Sequence, residues 1–157
     1  MPAASAISVL VVDDQMTIRT LVRSGLQQLG FKDIREAPDG EAALRMLLTQ
    51  PAHLVISDYN MPKLDGLGLL RAVRAHPPFK TIAFIMLTGR ADSDLVQRAV
   101  QFGVNNYLVK PFTVQVLKEK IEGEVGALTR ALGWPDRASG RCISGRVSTM
   151  CRILRTW

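Results

Sequence analysis

The chain has 157 residues, of which 47% are hydrophobic and 22% are charged, a balance that excludes a disordered, collagen-like or disulfide-built protein. The longest unbroken apolar run, residues 82–87, has six residues, whereas a membrane-spanning helix needs roughly 20. The first basic residue is Arg19, so the amino terminus lacks the positive start of a secretion signal. We therefore expect a cytoplasmic protein without membrane insertion.

The net charge of +6 is unevenly distributed along the chain. Residues 1–132 carry 15 Lys and Arg against 13 Asp and Glu, a net charge of +2, whereas residues 133–157 carry five Arg against one Asp, a net charge of +4. The tail 133–157 lacks sustained helical or strand periodicity, which predicts a disordered or non-native extension; a basic arm for an acidic partner is the alternative. Cys142 and Cys151 have no metal-ligand spacing and predict two reduced thiols.

Five short β-type runs alternate with segments of helical periodicity before the tail. In chain order, the predicted strands are residues 7–12, 33–37, 53–57, 82–87 and 105–109. The predicted apolar stripes of the helices between and after them are Ile18, Leu21, Val22, Gly25 and Leu29; Ala43, Leu44, Leu47 and Leu48; Leu67, Leu70, Ala72 and Val73; Leu95, Val96, Ala99 and Val100; and Val114, Leu117, Ile121, Val125 and Leu128. Five β-then-α units predict a doubly wound α/β fold, with helices on both faces of a five-stranded parallel sheet in flavodoxin-like order 2-1-3-4-5.

Polar side chains stand where the predicted strands end. Asp13 and Asp14 follow the first strand, Asp58 follows the third, Thr88 follows the fourth and Lys110 follows the fifth. Ligand sites in such sheets lie outside the carboxyl ends of the strands. We therefore expect three carboxylates, a hydroxyl and an ammonium group at one rim.

This set of groups predicts phosphoryl transfer at a metal site. Three neighbouring carboxylates repel one another and favour a cation, and ligands that are all oxygens favour Mg²⁺, with Mn²⁺ as an alternative, over zinc. Lys110 and Thr88 could neutralise a transferring phosphoryl group, and a carboxylate nucleophile implies an aspartyl phosphate. His53 and His76 lack partners at ligand spacing and are interpreted as a strand-entry residue and a turn residue.

The sequence closely resembles the response-regulator receiver family over about residues 5–130, and within it the stand-alone chemotaxis regulators. Four stretches carry the resemblance: Val-Val-Asp-Asp at 11–14, Ile-Ser-Asp-Tyr-Asn-Met-Pro at 56–62 with Asp-Gly at 65–66, Leu-Thr at 87–88, and Tyr-Leu-Val-Lys-Pro-Phe at 107–112. The resemblance implies that residues 1–132 form a receiver domain.

The resemblance also implies the acceptor and the metal ligands. Asp58 would accept a phosphoryl group from a phosphohistidine on a sensor histidine kinase or a histidine phosphotransfer domain. Asp14 and Asp58, with the backbone carbonyl of Asn60, would hold Mg²⁺, and Asp13 would act largely through a metal-bound water.

The remaining implied roles concern catalysis and signalling. Thr88 would donate a hydrogen bond to the phosphoryl oxygens, and Lys110 would pair with them. The peptide bond between Lys110 and Pro111 would be cis. Thr88 would then move, and Tyr107 would turn inward and alter the partner-binding surface. Arg90 departs from the chemotaxis relatives, which carry an acidic residue there, and would prolong the phosphorylated state or obstruct a phosphatase.

Other function classes agree less well with the residues. An aspartyl-phosphate phosphatase of the haloacid-dehalogenase kind would need an acid two residues after Asp58, where Asn60 stands. A flavodoxin-like electron carrier would place its cofactor phosphate against Asp13 and Asp14, which would repel it. No DNA-binding output domain fits in the tail, so we expect no DNA partner. The sequence predicts a switch that catalyses only its own phosphorylation and dephosphorylation, with a flagellar-motor protein or the next carrier of a phosphorelay as its output.

Overall fold

The chain folds as five strands alternating with five helices within residues 6–89 and 93–131, the part described by a computed structural model. The side chains of residues 93 and 125–131 are outside that description. The elements, in chain order, are β1 (Ser8–Val12), α1 (Met16–Gln28), β2 (Asp33–Ala37), α2 (Gly40–Thr49), β3 (Leu54–Asp58), α3 (Gly66–Ala75), β4 (Ala83–Thr88), α4 (Ser93–Gln101), β5 (Asn106–Val109) and α5 (Val114–Ala131). The predicted tail and its two cysteines lie outside the described residues.

The five strands form one parallel sheet in the order β2-β1-β3-β4-β5. This confirms the predicted fold class and strand order. Strands β3 and β4 each run one residue further than predicted, so that Asp58 and Thr88 are their last residues. No helix among the described residues is long and apolar enough to cross a bilayer.

The sheet separates two hydrophobic layers because successive side chains of a strand point to opposite faces. Val9 and Val11 of β1 join the layer that α1 and α5 cover, which also contains Leu117 of α5. Leu10 and Val12 join the opposite layer, beneath α2, α3 and α4. The central strands are therefore buried on both faces, as continuous apolar runs predict.

The predicted helical stripes are partly wrong. Leu21, Leu48 and Val100 were expected in the core but are 38%, 58% and 60% exposed, whereas Leu26 and Leu69 are fully buried without having been predicted. A helix lying on a sheet buries a narrow stripe, and a neighbouring position along the chain is rotated by about 100° away from it. Val125 and Leu128 fall among the side chains that are not described.

His53 joins β1 to β3 at the amino-terminal edge of the sheet. The ring Nδ1 of His53 accepts a hydrogen bond of 3.1 Å from the backbone N–H of Ser8, and the backbone N–H of His53 donates to the Ser8 carbonyl at 2.9 Å. Burial lowers the pKa of His53 from 6.5, although the charge on Asp33 acts in the opposite direction. The folded protein therefore favours the neutral ring, because only the neutral ring can accept the hydrogen bond from the Ser8 backbone N–H.

This contact predicts a pH-dependent part of the stability. As pH falls below 6.5 the unfolded chain takes up a proton first, so the free energy of unfolding declines until the folded ring is also protonated. We expect His53→Gln to lose about 1 kcal/mol at neutral pH and to show a flatter pH profile, measured by urea denaturation. His76→Gln, which changes an exposed ring, is the comparison variant; equal flattening by both substitutions would contradict the assignment.

Candidate functional site

The functional residues predicted from the sequence stand at the carboxyl edge of the sheet. Asp13 directly follows β1, Asp58 ends β3, Thr88 ends β4 and Lys110 directly follows β5. Strands β1, β3, β4 and β5 are consecutive neighbours in the sheet, so their ends converge on one rim. The strand order alone therefore accounts for the meeting of side chains that are up to 97 residues apart in the chain.

Three carboxylates form a cluster at this rim. One carboxylate oxygen from each of Asp13, Asp14 and Asp58 lies within 4.8 Å of the others. Asp13 is completely buried, Asp58 is 6% exposed, and Asp14 is exposed to solvent. The cluster thus has two carboxylates in the protein interior and one at the mouth.

The Lys110 ammonium group bridges the two buried carboxylates. Its Nζ lies 2.9 Å from Oδ2 of Asp13 and 3.1 Å from Oδ1 of Asp58. The lysine lies next to Pro111, and the peptide bond between them is cis, as the resemblance to the receiver family implies. Among the described residues, Lys110 is the cation that contacts these two carboxylates, so one ammonium group faces two acids and the exposed Asp14 adds a third.

The pKa directions follow from this arrangement. Burial raises the pKa of the Asp58 carboxyl above 3.8; the hydrogen bond from Lys110 opposes this change, and the charge on Asp13 adds to it. For Lys110, burial acts to lower the pKa, but hydrogen bonds and charges from Asp13 and Asp58 outweigh it and raise the pKa above 10.5. Lys110 therefore stays protonated at neutral pH. Any further positive charge at the rim would stabilise the ionised form of Asp58.

Backbone contacts hold the carboxylates in place. The other Asp13 oxygen accepts the Gln15 backbone N–H at 2.8 Å, and the Asp13 carbonyl accepts a hydrogen bond from the Arg19 guanidinium at 2.6 Å. Beside Asp58, a Cβ on Gly66 would lie 2.3 Å from the Asp58 carbonyl oxygen. Only glycine lets the start of α3 approach the end of β3 this closely.

An open cleft of about 530 Å³ lies over the cluster. Its lining residues are Asp14, Gln15, Asp58, Asn60, Met61, Gly89 and Lys110. Gln15, Met61 and Gly89 were not predicted from the sequence as part of the site. Their adjacency to Asp14, Asn60 and Thr88 along the chain was the available signal, since loops at strand ends line such clefts.

The donor set fits a hard divalent cation. Among the described residues, Asp13, Asp14 and Asp58 are the group of carboxylate, histidine or cysteine side chains arranged so that it could hold a metal ion. All donors are oxygens. Asp13 and Asp58 are buried, and Asp14 and Asp58 line the cleft, which leaves room for water and for phosphate oxygens. Carboxylate donors with open positions are typical of magnesium sites and unlike the nitrogen and sulfur ligands of zinc.

The two residues predicted to switch are placed differently. Thr88 is buried, with 3% exposure, at the end of β4, the strand that pairs with β3. Tyr107 is 37% exposed, and its ring lies beneath the ammonium group of Lys120, which is 5.5 Å from the ring centroid. The structure therefore does not bring Tyr107 into the site. Arg90 lies outside the described residues.

Comparisons with known proteins agree with this geometry. The family model of the response regulator receiver domain matches residues 9–122. The chain is 55% identical over 128 residues to the probable chemotaxis protein CheY of Rhizobium etli, covering 82% of this chain and 99% of the relative. It is 47% identical over 114 residues to the chemotaxis protein CheY of Pseudomonas aeruginosa, covering 73% and 92%.

A solved structure gives the same result. The chemotaxis response regulator CheY4 of Vibrio cholerae superposes with a TM-score of 0.71 at 33% sequence identity, covering 76% of this chain and 98% of that chain. The family match spans most of the chain, and it includes the three carboxylates, Thr88 and Lys110. By its fold, its carboxylate rim and these relatives, the chain belongs to the response regulator receiver domain family.

Proposed function

We propose that this protein is a single-domain response regulator of two-component signalling, with Asp58 as its phosphoacceptor and residues 1–132 as its receiver domain. One observation carries the proposal: the Asp58 carboxylate opens into the rim cleft, 3.1 Å from the Lys110 ammonium group and within 4.8 Å of Asp13 and Asp14. This arrangement places the Asp58 nucleophile where positive charges can stabilise the phosphoryl group that it attacks.

The proposed reaction transfers a phosphoryl group from histidine to aspartate. An Asp58 oxygen forms a bond to phosphorus while the bond from phosphorus to the imidazole nitrogen of the donor breaks. The electron pair of the broken bond stays on that nitrogen, which leaves as neutral imidazole when the donor phosphohistidine is protonated. The product is an acyl phosphate on Asp58 and a free histidine on the kinase or phosphotransfer domain.

Asp13, Asp14, Asp58 and the backbone carbonyl of Asn60 would hold Mg²⁺, with Mn²⁺ as an alternative, and the bound cation would supply positive charge to the phosphoryl oxygens. Lys110 would stabilise the same oxygens from the carboxylate side, since its ammonium group already contacts Asp58. Asn60 in the cleft bears an amide, which cannot serve as the general acid of a phosphatase. The protein would therefore catalyse only its own phosphorylation and dephosphorylation.

The proposed switch follows from the charge that phosphorylation adds. A carboxylate of charge −1 becomes a group of roughly −1.5 to −2 with three strong acceptors. Thr88 and Lys110 are the donors that would be drawn toward it, and movement of Thr88 would allow Tyr107 to turn inward. Because a modification can only shift a pre-existing equilibrium, the unphosphorylated protein would also sample the active form.

The relatives support chemotaxis as the biological setting, because those in Rhizobium etli and Pseudomonas aeruginosa are named chemotaxis proteins. A sensor histidine kinase would be the phosphoryl donor, a flagellar-motor switch protein would be the output partner, and the setting would be the cytoplasm. The second candidate function is that of an intermediate carrier in a phosphorelay. Binding of the phosphorylated chain to a motor switch protein and to a histidine phosphotransfer domain distinguishes the two.

The phosphoacceptor proposal has a direct test. Incubation of the purified chain with acetyl phosphate and Mg²⁺ should add one phosphoryl group per molecule, measured by intact-protein mass spectrometry. Chelation of the cation with EDTA should prevent the addition. Labelling that is equally fast with EDTA, or that adds no phosphoryl group under either condition, would refute the proposal.

A further inference from the structure

Tyr107 and Lys120 form a contact between β5 and α5 that the phosphoryl chemistry does not use. The Lys120 Nζ lies 5.5 Å from the centroid of the Tyr107 ring, within the range of a cation–π interaction. The same Nζ lies 3.2 Å from Oδ1 of Asn106, which also accepts the backbone N–H of Tyr107 at 2.9 Å. Asn106 thus fixes the ammonium group beside the ring.

We call the position of the ring beside Lys120 outward, because Tyr107 is 37% exposed there. The alternation of side chains along β5 shows from which face of the sheet Tyr107 projects. Leu108 of β5 belongs to the layer under α1 and α5, so Tyr107 projects toward the opposite face, the one covered by α4. Met86, its partner in register on β4, belongs to that opposite layer, and Thr88 projects to the same side. Lys120, however, lies on α5. The two side chains therefore meet at the open edge of β5.

We infer that Lys120 is a positioning residue that holds Tyr107 in its outward position and thereby opposes the switch. This inference rests on the proposed function, in which Tyr107 turns toward Thr88. Lys120 is tied to Asn106 at the edge of β5, whereas Thr88 projects from the neighbouring strand β4, so a ring that turns toward Thr88 moves away from the ammonium group. Each inward turn therefore loses the contact with the ammonium group.

The expected effect follows from the strength of an exposed cation–π contact. Removing the charge should shift the outward-to-inward equilibrium of the unphosphorylated protein by about two- to fivefold toward the inward position. Because coupling between two sites is reciprocal, a phosphoryl analogue at Asp58 should bind more tightly by a similar factor. Lys120→Arg keeps a cation that can lie over the ring and should behave like the wild type.

The experiment uses the full-length chain labelled with ¹³C on its tyrosine rings. The chain has two tyrosines, so the ring spectrum is simple, and Tyr59→Phe assigns the Tyr107 signal. Beryllofluoride with Mg²⁺ serves as the phosphoryl analogue and defines the shift of the activated state. The variants are Lys120→Gln, Lys120→Arg and Lys118→Gln. Lys118 pairs with Glu122 on the same helix, so its substitution removes the same charge and controls for long-range electrostatics.

Without the analogue, Lys120→Gln should move the Tyr107 signal toward the activated position, whereas Lys120→Arg and Lys118→Gln should not. The beryllofluoride concentration at half saturation should fall about two- to fivefold in Lys120→Gln alone. If the wild-type signal responds to beryllofluoride but Lys120→Gln matches the wild type, or if Lys118→Gln gives the same change, the role of Lys120 is refuted while the switch stands. A wild-type Tyr107 signal that ignores bound beryllofluoride would refute the switch and, with it, this inference.

Discussion

Asp58→Asn is expected to reduce phosphoryl uptake from acetyl phosphate by at least about a thousandfold, because the substitution removes the nucleophile. The amide has nearly the volume of the carboxylate, so the end of β3 and the cleft above it should keep their shape. Intact-protein mass spectrometry after incubation with Mg²⁺ measures the fraction labelled over time. The loss should be seen at every Mg²⁺ concentration, since it concerns the attacking oxygen.

Asp65→Asn is the matched control for this substitution. Asp65 caps α3 by accepting the Gly68 N–H at 2.7 Å, and asparagine caps helices about as well as aspartate. Asp65→Asn changes the same functional group, in the connection between β3 and α3, but Asp65 lies outside the carboxylate cluster. This variant should be labelled like the wild type. Equal labelling of Asp58→Asn and wild type would remove Asp58 from the mechanism.

Lys110→Ala is expected to have the largest effect on stability. It leaves the buried carboxylates of Asp13 and Asp58 without their shared cation, and breaking such a pair costs about 3 kcal/mol or more. Urea denaturation without divalent cations measures the loss. Mg²⁺ should restore part of it, because a cation bound at the carboxylates relieves the same repulsion. The variant should therefore still bind metal, yet transmit the phosphoryl signal poorly.

A surface lysine provides the comparison. Lys118 is 43% exposed and pairs with Glu122 at 3.8 Å, so Lys118→Ala should change the free energy of unfolding by less than about 0.5 kcal/mol, with or without Mg²⁺. If Lys110→Ala proved as stable as Lys118→Ala in the absence of cations, the ammonium group would not balance the buried carboxylates.

The fold could be predicted from the sequence because its strands are buried on both faces. A continuous apolar run of six residues, such as residues 82–87, is typical of a strand buried on both faces, and repeated β-then-α units indicate a parallel sheet. The helical stripes were harder to predict. Leu48 and Val100 follow the apolar pattern but face solvent, since hydrophobicity alone does not define which edge of a stripe contacts the sheet.

The carboxylate rim could be predicted for a related reason. Parallel strands bring their carboxyl ends to one edge, so Asp13, Asp58 and Lys110 had to be neighbours once the sheet was assigned. The contact between Lys120 and Tyr107 could not be predicted this way. It depends on how far the Lys120 side chain of α5 reaches toward the edge strand, and strand periodicity carries no information about such a contact.

The proposed phosphoryl transfer requires a divalent cation held at Asp13, Asp14 and the phosphoacceptor Asp58. Calorimetric titration of the full chain with Mg²⁺ tests this most directly, with Asp14→Asn as the variant because Asp14 is exposed and its substitution should not disturb folding. We predict one Mg²⁺ per wild-type chain and an affinity at least about tenfold weaker in Asp14→Asn. Wild-type protein that binds no Mg²⁺, or a variant that binds it equally well, would contradict the account.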